Sequence, residues 1–156
     1  MEKRYYIAYG SNLNLAQMKR RCPSARIVGT SEILGYELLF KGSQTGSYLT
    51  IEKAQGGRVP ALVWETTEAD EAALDRYEGF PSFYYKAEME LPVRDLRTGN
   101  CRFRKCYVYI MHEEREVGVP SLYYVRTCLE GYRDFGFNEQ FLWKALGKSR
   151  RMCHEG

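Results

Sequence analysis

The sequence predicts an α+β domain: a mostly antiparallel, glycine-broken sheet with a few flanking helices. The first observation behind this is the alternation of Tyr85, Ala87, Met89, Leu91 and Val93 with Lys86, Glu88, Glu90 and Arg94. That period of two marks a half-buried strand. The second is a series of short aromatic and β-branched runs that stop at Gly or Pro, as strands do at turns. The third is that helical spacing occurs only in brief stretches, each with its own capping residue.

Taken in order, Tyr5 to Tyr9 read as a buried strand ending at Gly10. Asn12 or Asn14 then caps a short helix over Leu15 to Arg21, which the basic Lys19, Arg20, Arg21 and then Pro23 bring to an end. Ala25 to Phe40, with Gly29 and Gly35, reads as bent strand, and Gly42 and Gly46 punctuate a turn. Tyr48 to Glu52 and Val59 to Glu65 read as two strands joined at Gln55-Gly56-Gly57 in a hairpin, with Pro60 at an edge or a bulge. Thr67 opens a helix whose first turn carries Glu68, Asp70 and Glu71, and Gly79 and Pro81 close it. After the alternating strand, Asp95 to Asn100 turn into a last strand, Cys101 to Met111, buried on both sides in its second half. Ser121 caps a helix whose stripe is Leu122, Val125, Leu129 and Tyr132. A final short helix begins at Asn138, where Phe137 and Leu142 form a hydrophobic staple.

A chain of 156 residues matches one domain, since domains run roughly 100–200 residues. The expected division is a single domain over 1–147 and a frayed basic tail over 148–156. With 44% hydrophobic and 28% charged residues the chain can build a core and keep a solvated surface. A net charge of +3 is too mild to argue for nucleic acid or an anionic membrane. Behind Met1-Glu2-Lys3-Arg4 the apolar run stops at Gly10, short of a signal-peptide core or the roughly 20 residues of a membrane span. The five cysteines are scattered and odd in number, without a Cys-x-x-Cys pair. They indicate neither a disulfide framework nor a zinc site and suit a reducing compartment. A cytoplasmic protein with a small-molecule partner is the expectation.

Two places could carry chemistry. Tyr9-Gly10-Ser11-Asn12-Leu13 is a strand running into a small-residue turn that feeds a helix. Gly10 lets a ligand approach the backbone, and amides at a helix start attract a carboxylate or phosphate. A bare turn with Asn12 as a cap and nothing bound satisfies the same pattern. The other place is Glu78, in Tyr77-Glu78-Gly79-Phe80-Pro81. A carboxylate in the last helical turn faces the negative end of the helix dipole, and Phe80, Phe83, Tyr84 and Tyr85 crowd the next positions. Turned inward, it would have its pKa raised toward what a general base needs at neutral pH. Turned outward, it is a surface Glu. A serine triad and a metal site both fail for want of histidines, since only His112 and His154 are present and neither sits in a motif. The 13 tyrosines bring no aromatic RNA-binding motif and read as packing.

Jointly the two places resemble the γ-glutamylcyclotransferase-like family, with its AIG2-type relatives. The hallmarks are the loop Tyr9 to Leu13, Glu78-Gly79 after a short helix, and Tyr85 seven positions on. Pro120-Ser121-x-x-Tyr124 and Gly131-Tyr132 to Phe137 resemble the family's cavity-closing helix. The resemblance implies a small mixed, mostly antiparallel β-barrel with a cavity at one end. It implies an amide-cleaving enzyme in which the α-amino nitrogen of a γ-glutamyl group attacks its own γ-carbonyl, releasing an amine or amino acid and 5-oxoproline. Glu78 would be the proton acceptor. Amides of Gly10, Ser11, Asn12 and Leu13 would hold an anionic group, with Tyr9 shaping the wall and Tyr85 donating a hydrogen bond. No metal or other cofactor is implied, and the partner is a γ-glutamyl small molecule, neither nucleic acid nor membrane. Oligomeric state stays open, and a non-catalytic ligand-binding module with the same cavity is the alternative.

Overall fold

The run beginning at Arg4 forms strand β1 (Arg4–Ala8) in the computed structural model, which describes residues 3–43 and 46–155. Ile7 and Ala8 are buried because β1 has a neighbour on each edge: antiparallel β3 (Gly46–Thr66) and parallel β5 (Cys101–Met111). From β5 the sheet continues antiparallel through β4 (Tyr84–Asp95) to β2 (Arg26–Ser43), and β2 returns antiparallel to β3. Five strands therefore close in the order β3-β1-β5-β4-β2, a mixed barrel with one parallel pair. The two-residue β6 (Glu116–Val117) hangs on β2 beside Lys41 and Gly42. Closure depends on Gly29, where β2 meets β4. A Cβ there would lie 1.9 Å from the Arg94 carbonyl oxygen, so no other residue fits.

The hairpin expected at Gln55-Gly56-Gly57 is not a hairpin. The two strands on either side of it are one strand, β3, and both halves pair with β2. Between Leu34↔Arg58 and Tyr36↔Lys53 the residues 54–57 of β3 face Gly35 alone. Gly35 and Gly56 take φ of 79° and 75°, and the surplus residues are absorbed as an irregular bulge in β3. The turn between Gly42 and Gly46 has its middle positions, 44 and 45, outside the described residues, as are Met1, Glu2 and Gly156.

Among the described residues four α-helices surround the barrel: α1 (Leu15–Arg21), α2 (Glu68–Glu78), α3 (Leu122–Asp134) and α4 (Gln140–Glu155). Of the two candidate caps for α1, Asn14 does the work, accepting the Gln17 amide at 3.1 Å. Thr67 and Asp70 form a reciprocal capping box at the start of α2, and Ser121 caps α3. The tail expected to fray over 148–156 is instead helical through Glu155. Leu142, Ala145, Leu146 and Ser149 are buried at spacings of three and four, so a continuous stripe holds α4 down. All five cysteines are free thiols. Among the described residues no helix is long and apolar enough to cross a membrane.

Candidate active site

β1 delivers Tyr9 and Gly10 to one end of the barrel, where a single turn of 3-10 helix (Ser11–Leu13) leads into α1. The Leu13 amide is used inside that turn, donating to the Gly10 carbonyl at 3.0 Å. Among the described residues no acceptor takes the Ser11 or Asn12 amide, so both are free for a ligand. The loop is held from several sides. Trp64 Nε1 donates to the Asn12 carbonyl at 3.1 Å, and Asn12 Nδ2 donates to the Tyr6 hydroxyl at 2.8 Å.

α2 brings Glu78 to the same place. Gly79 ends the helix at φ 64°, its amide reaching back to the Arg76 and Asp75 carbonyls, which leaves Glu78 as the last helical residue. Tyr109 from β5 anchors this end of α2 by donating to Asp75 Oδ1 at 2.6 Å. Lys86 from β4 adds contacts to Glu71 and Asp75 at 2.7 and 3.0 Å.

Between the loop and Glu78 lies a cavity of about 350 Å³. Tyr9, Gly10, Ser11, Asn12 and Glu78 all line it, so the structure brings the two sequence candidates together. Tyrosines make up much of the remaining wall. Leu49 is caught on both sides, its amide donating to the Tyr124 hydroxyl at 3.0 Å and its carbonyl accepting from the Tyr84 hydroxyl at 2.8 Å. At the rim the Ser11 and Tyr77 hydroxyls share a hydrogen bond of 3.2 Å. Of these wall tyrosines Tyr84 carried a signal as one of the aromatics crowding Glu78 and Tyr124 as part of the stretch after Pro120, while Tyr77 reads as an ordinary helix residue.

Burial pushes the Glu78 carboxyl up to about 8, against the opposing pull of the Arg21 guanidinium. Among the described residues no side chain donates to it. Burial, and then the Glu78 charge, holds the phenols of Tyr6, Tyr9 and Tyr84 well above their ordinary range. A carboxyl that exchanges its proton near neutrality thus faces neutral hydroxyls across a small cavity.

Two expected residues fall outside the lining. Leu13 is fully buried beneath Gly131 of α3 and acts in packing. Tyr85 is not among the lining residues and donates to Glu113 Oε2 at 2.5 Å, while its neighbour Tyr84 lines the wall. Successive side chains of a strand take opposite faces, so the two tyrosines cannot share the site. Tyr85→Phe is therefore expected to keep kcat/KM within about twofold of wild type, as a substitution away from the site does. Steady-state kinetics checks this. Among the described residues no group of three or more His, Cys, Asp or Glu side chains is placed to hold a metal ion.

Known proteins share this fold. The family described as "Gamma-glutamyl cyclotransferase, AIG2-like" matches residues 6–126. The Homo sapiens protein "Gamma-glutamylcyclotransferase" is 30% identical over 139 residues, spanning 84% of this chain and 71% of that one. Its Mus musculus counterpart is 27% identical over 144 residues, 87% and 73% of the two chains. A solved structure titled "Gamma-glutamyl cyclotransferase" superposes with a TM-score of 0.80 at 26% identity, covering 92% of this chain and 86% of the other.

Proposed function

The chain belongs to the AIG2-like gamma-glutamyl cyclotransferase family and is an enzyme of that type, and from this premise we propose that it converts a γ-glutamyl amino acid or γ-glutamylamine to 5-oxoproline and the free amine, with Glu78 as the base. The observation that carries the reading is that Glu78, its carboxyl raised to about 8, lines a 350 Å³ cavity together with Ser11 and Asn12, whose amides have no acceptor among the described residues. A cavity of this size suits a small ligand.

The substrate's α-carboxylate lies against the free amides at the start of the 3-10 turn, where the backbone is electropositive. Its α-ammonium faces Glu78. An ionised Glu78 takes a proton from the ammonium, and the resulting amine attacks the γ-carbonyl carbon, closing a five-membered ring. The new C–N bond forms as the carbonyl oxygen takes up negative charge. When that charge collapses, Glu78 hands its proton to the departing nitrogen as the bond to it breaks, then takes the second proton still carried by the ring nitrogen and passes it to the released amine. Each proton taken is given back, and no group beyond the chain enters the balance.

Ring closure is already unimolecular, so the protein's share is to fold the substrate into an attacking conformer and to carry protons from the attacking nitrogen to the departing one. A pKa near 8 suits both halves of that transfer, because the carboxyl neither holds the proton too tightly nor refuses it. Family membership supports the reaction class, and the raised carboxyl supports the base. The test is to incubate the purified protein with a panel of γ-glutamyl amino acids and γ-glutamylamines. Equal amounts of 5-oxoproline and free amine are expected from at least one of them. Ligand-induced thermal stabilisation across the panel with no product would instead mean a binding module.

A further inference from the structure

Arg21, the last residue of α1, belongs to no ion pair among the described residues, although it is half-buried beside the cavity. Its Nη1 donates to Asn12 Oδ1 at 2.5 Å and its Nη2 to Gln17 Oε1 at 2.6 Å. Its Cζ sits 3.5 Å from the centre of the Tyr77 ring, a close cation–π contact. All three partners are neutral. A half-buried cation held by neutral groups leaves its charge uncompensated, which costs stability unless that charge is used. Tyr77 is the immediate neighbour of Glu78 in the chain, and Asn12 belongs to the loop with the free amides. The one guanidinium therefore touches both halves of the site.

We propose that Arg21 is a positioning residue of the site: its fork pins the Asn12 loop, and its charge, seated on the Tyr77 ring, is the standing counter-charge of the Glu78 carboxylate. The other titratable groups around Glu78 cannot take this part. Tyr6 and Tyr9 face it from the β1 end, Tyr77 from α2 and Tyr84 from β4, and burial keeps all four phenols neutral. Tyr109 of β5 and Tyr124 of α3 line the same cavity and are raised by burial as well. Cys128 of α3, which senses Arg21, is pushed by burial up to about 12 and is also neutral. Arg76 lines the cavity as a second cation but is exposed to solvent, which screens it. Arginine suits the part better than lysine, since a planar fork can hold Asn12 and Gln17 while stacking on the ring.

The inference rests on Glu78 being the base, and its test does not need turnover. The Glu78 carboxyl is titrated by carbon-13 NMR in substrate-free protein labelled at Glu, with Glu78→Gln identifying the resonance. Arg21→Gln keeps a hydrogen-bonding amide but removes the charge, and its Glu78 midpoint is expected about one pH unit above wild type. Gln17→Glu leaves the fork in place but compensates its charge, and should move the midpoint in the same direction by less. In the catalysed reaction the acidic limb of kcat/KM moves up by the same amount, a loss of about tenfold at pH 7, and Arg21→Lys recovers most of it. Midpoints unchanged in both Arg21→Gln and Gln17→Glu would overturn the inference. A shifted midpoint with no γ-glutamyl compound consumed would leave it standing and refute the cyclotransferase reading instead.

Discussion

Glu78→Gln is expected to lower kcat by about 10²–10⁴-fold, the usual share of a general base, and at the same time to make the protein more stable at pH 8. The second effect follows from the raised carboxyl. In the folded protein it titrates at about 8, against an ordinary value of 4.5, so folding favours its protonated form. Stability from this group is complete below the unfolded value and is lost as pH climbs from there through 8, where the carboxylate must ionise inside the cavity. Glutamine keeps the shape without the charge. The variant's advantage should thus be small near pH 5 and grow to about 2–3 kcal/mol by pH 8, a rise of several degrees in Tm. Glu78 is half-buried, and its partial contact with solvent screens the charge and keeps the effect below the full linkage value. Melting curves at both pH values, beside kcat, check the pair of effects. Full turnover in the variant would remove Glu78 from the mechanism, and an equal Tm difference at both pH values would remove the raised carboxyl.

Gly131→Ala should be strongly destabilising, although the same change in an open helix is favourable by about 1 kcal/mol. Gly131 lies in α3 where it presses on the loop. An added Cβ would come within 2.5 Å of Leu13 Cβ and 2.6 and 2.8 Å of the Leu13 carbonyl carbon and oxygen. Backbone cannot swing aside as a flexible side chain can, so either α3 retreats or the loop is displaced. A loss of about 2–3 kcal/mol follows from overpacking of this kind. Displacement of the loop moves the Ser11 and Asn12 amides with it, and misplacement by about 1 Å can reduce kcat/KM by about 10²-fold. Gly147→Ala in α4 is the control. Its Cβ would meet only the end of the Arg151 side chain, at 3.4 Å, and it should be neutral or slightly stabilising. Urea midpoints and kcat/KM of the two variants decide the matter, and equal behaviour would mean that α3 does not fix the loop.

Much of this site was legible in the sequence, because its parts break local rules in ways that single residues reveal. Glu78 stands against the helix dipole, and Gly10 to Leu13 end a strand with small and polar residues before a helix begins. Thr67 and Ser121 announce their helices through capping chemistry, which acts over three residues and needs no tertiary context. Features that depend on distant partners were harder to read. Gln55-Gly56-Gly57 has the composition of a hairpin turn, yet the same composition serves a bulge when the pairing strand lies upstream, as β2 does. Tyr84 and Tyr85 are equally aromatic, and alternation says only that they part company, not which of them enters the cavity. Arg21 reads as an ordinary basic end to a short helix until Tyr77, distant in sequence, is placed beneath it. In α4 the stripe of Leu142, Ala145, Leu146 and Ser149 was present, but the basic residues between them read as a solvated tail.

In the proposed reaction a substrate nitrogen, and not water, attacks the γ-carbonyl. Running the reaction in water enriched in oxygen-18 tests this directly, with products identified by mass spectrometry. Expected is 5-oxoproline at its unlabelled mass together with one equivalent of free amine, from wild type and not from Glu78→Gln. Glutamate carrying one oxygen-18 in its side-chain carboxylate would mean hydrolysis by a water molecule and would contradict intramolecular ring closure.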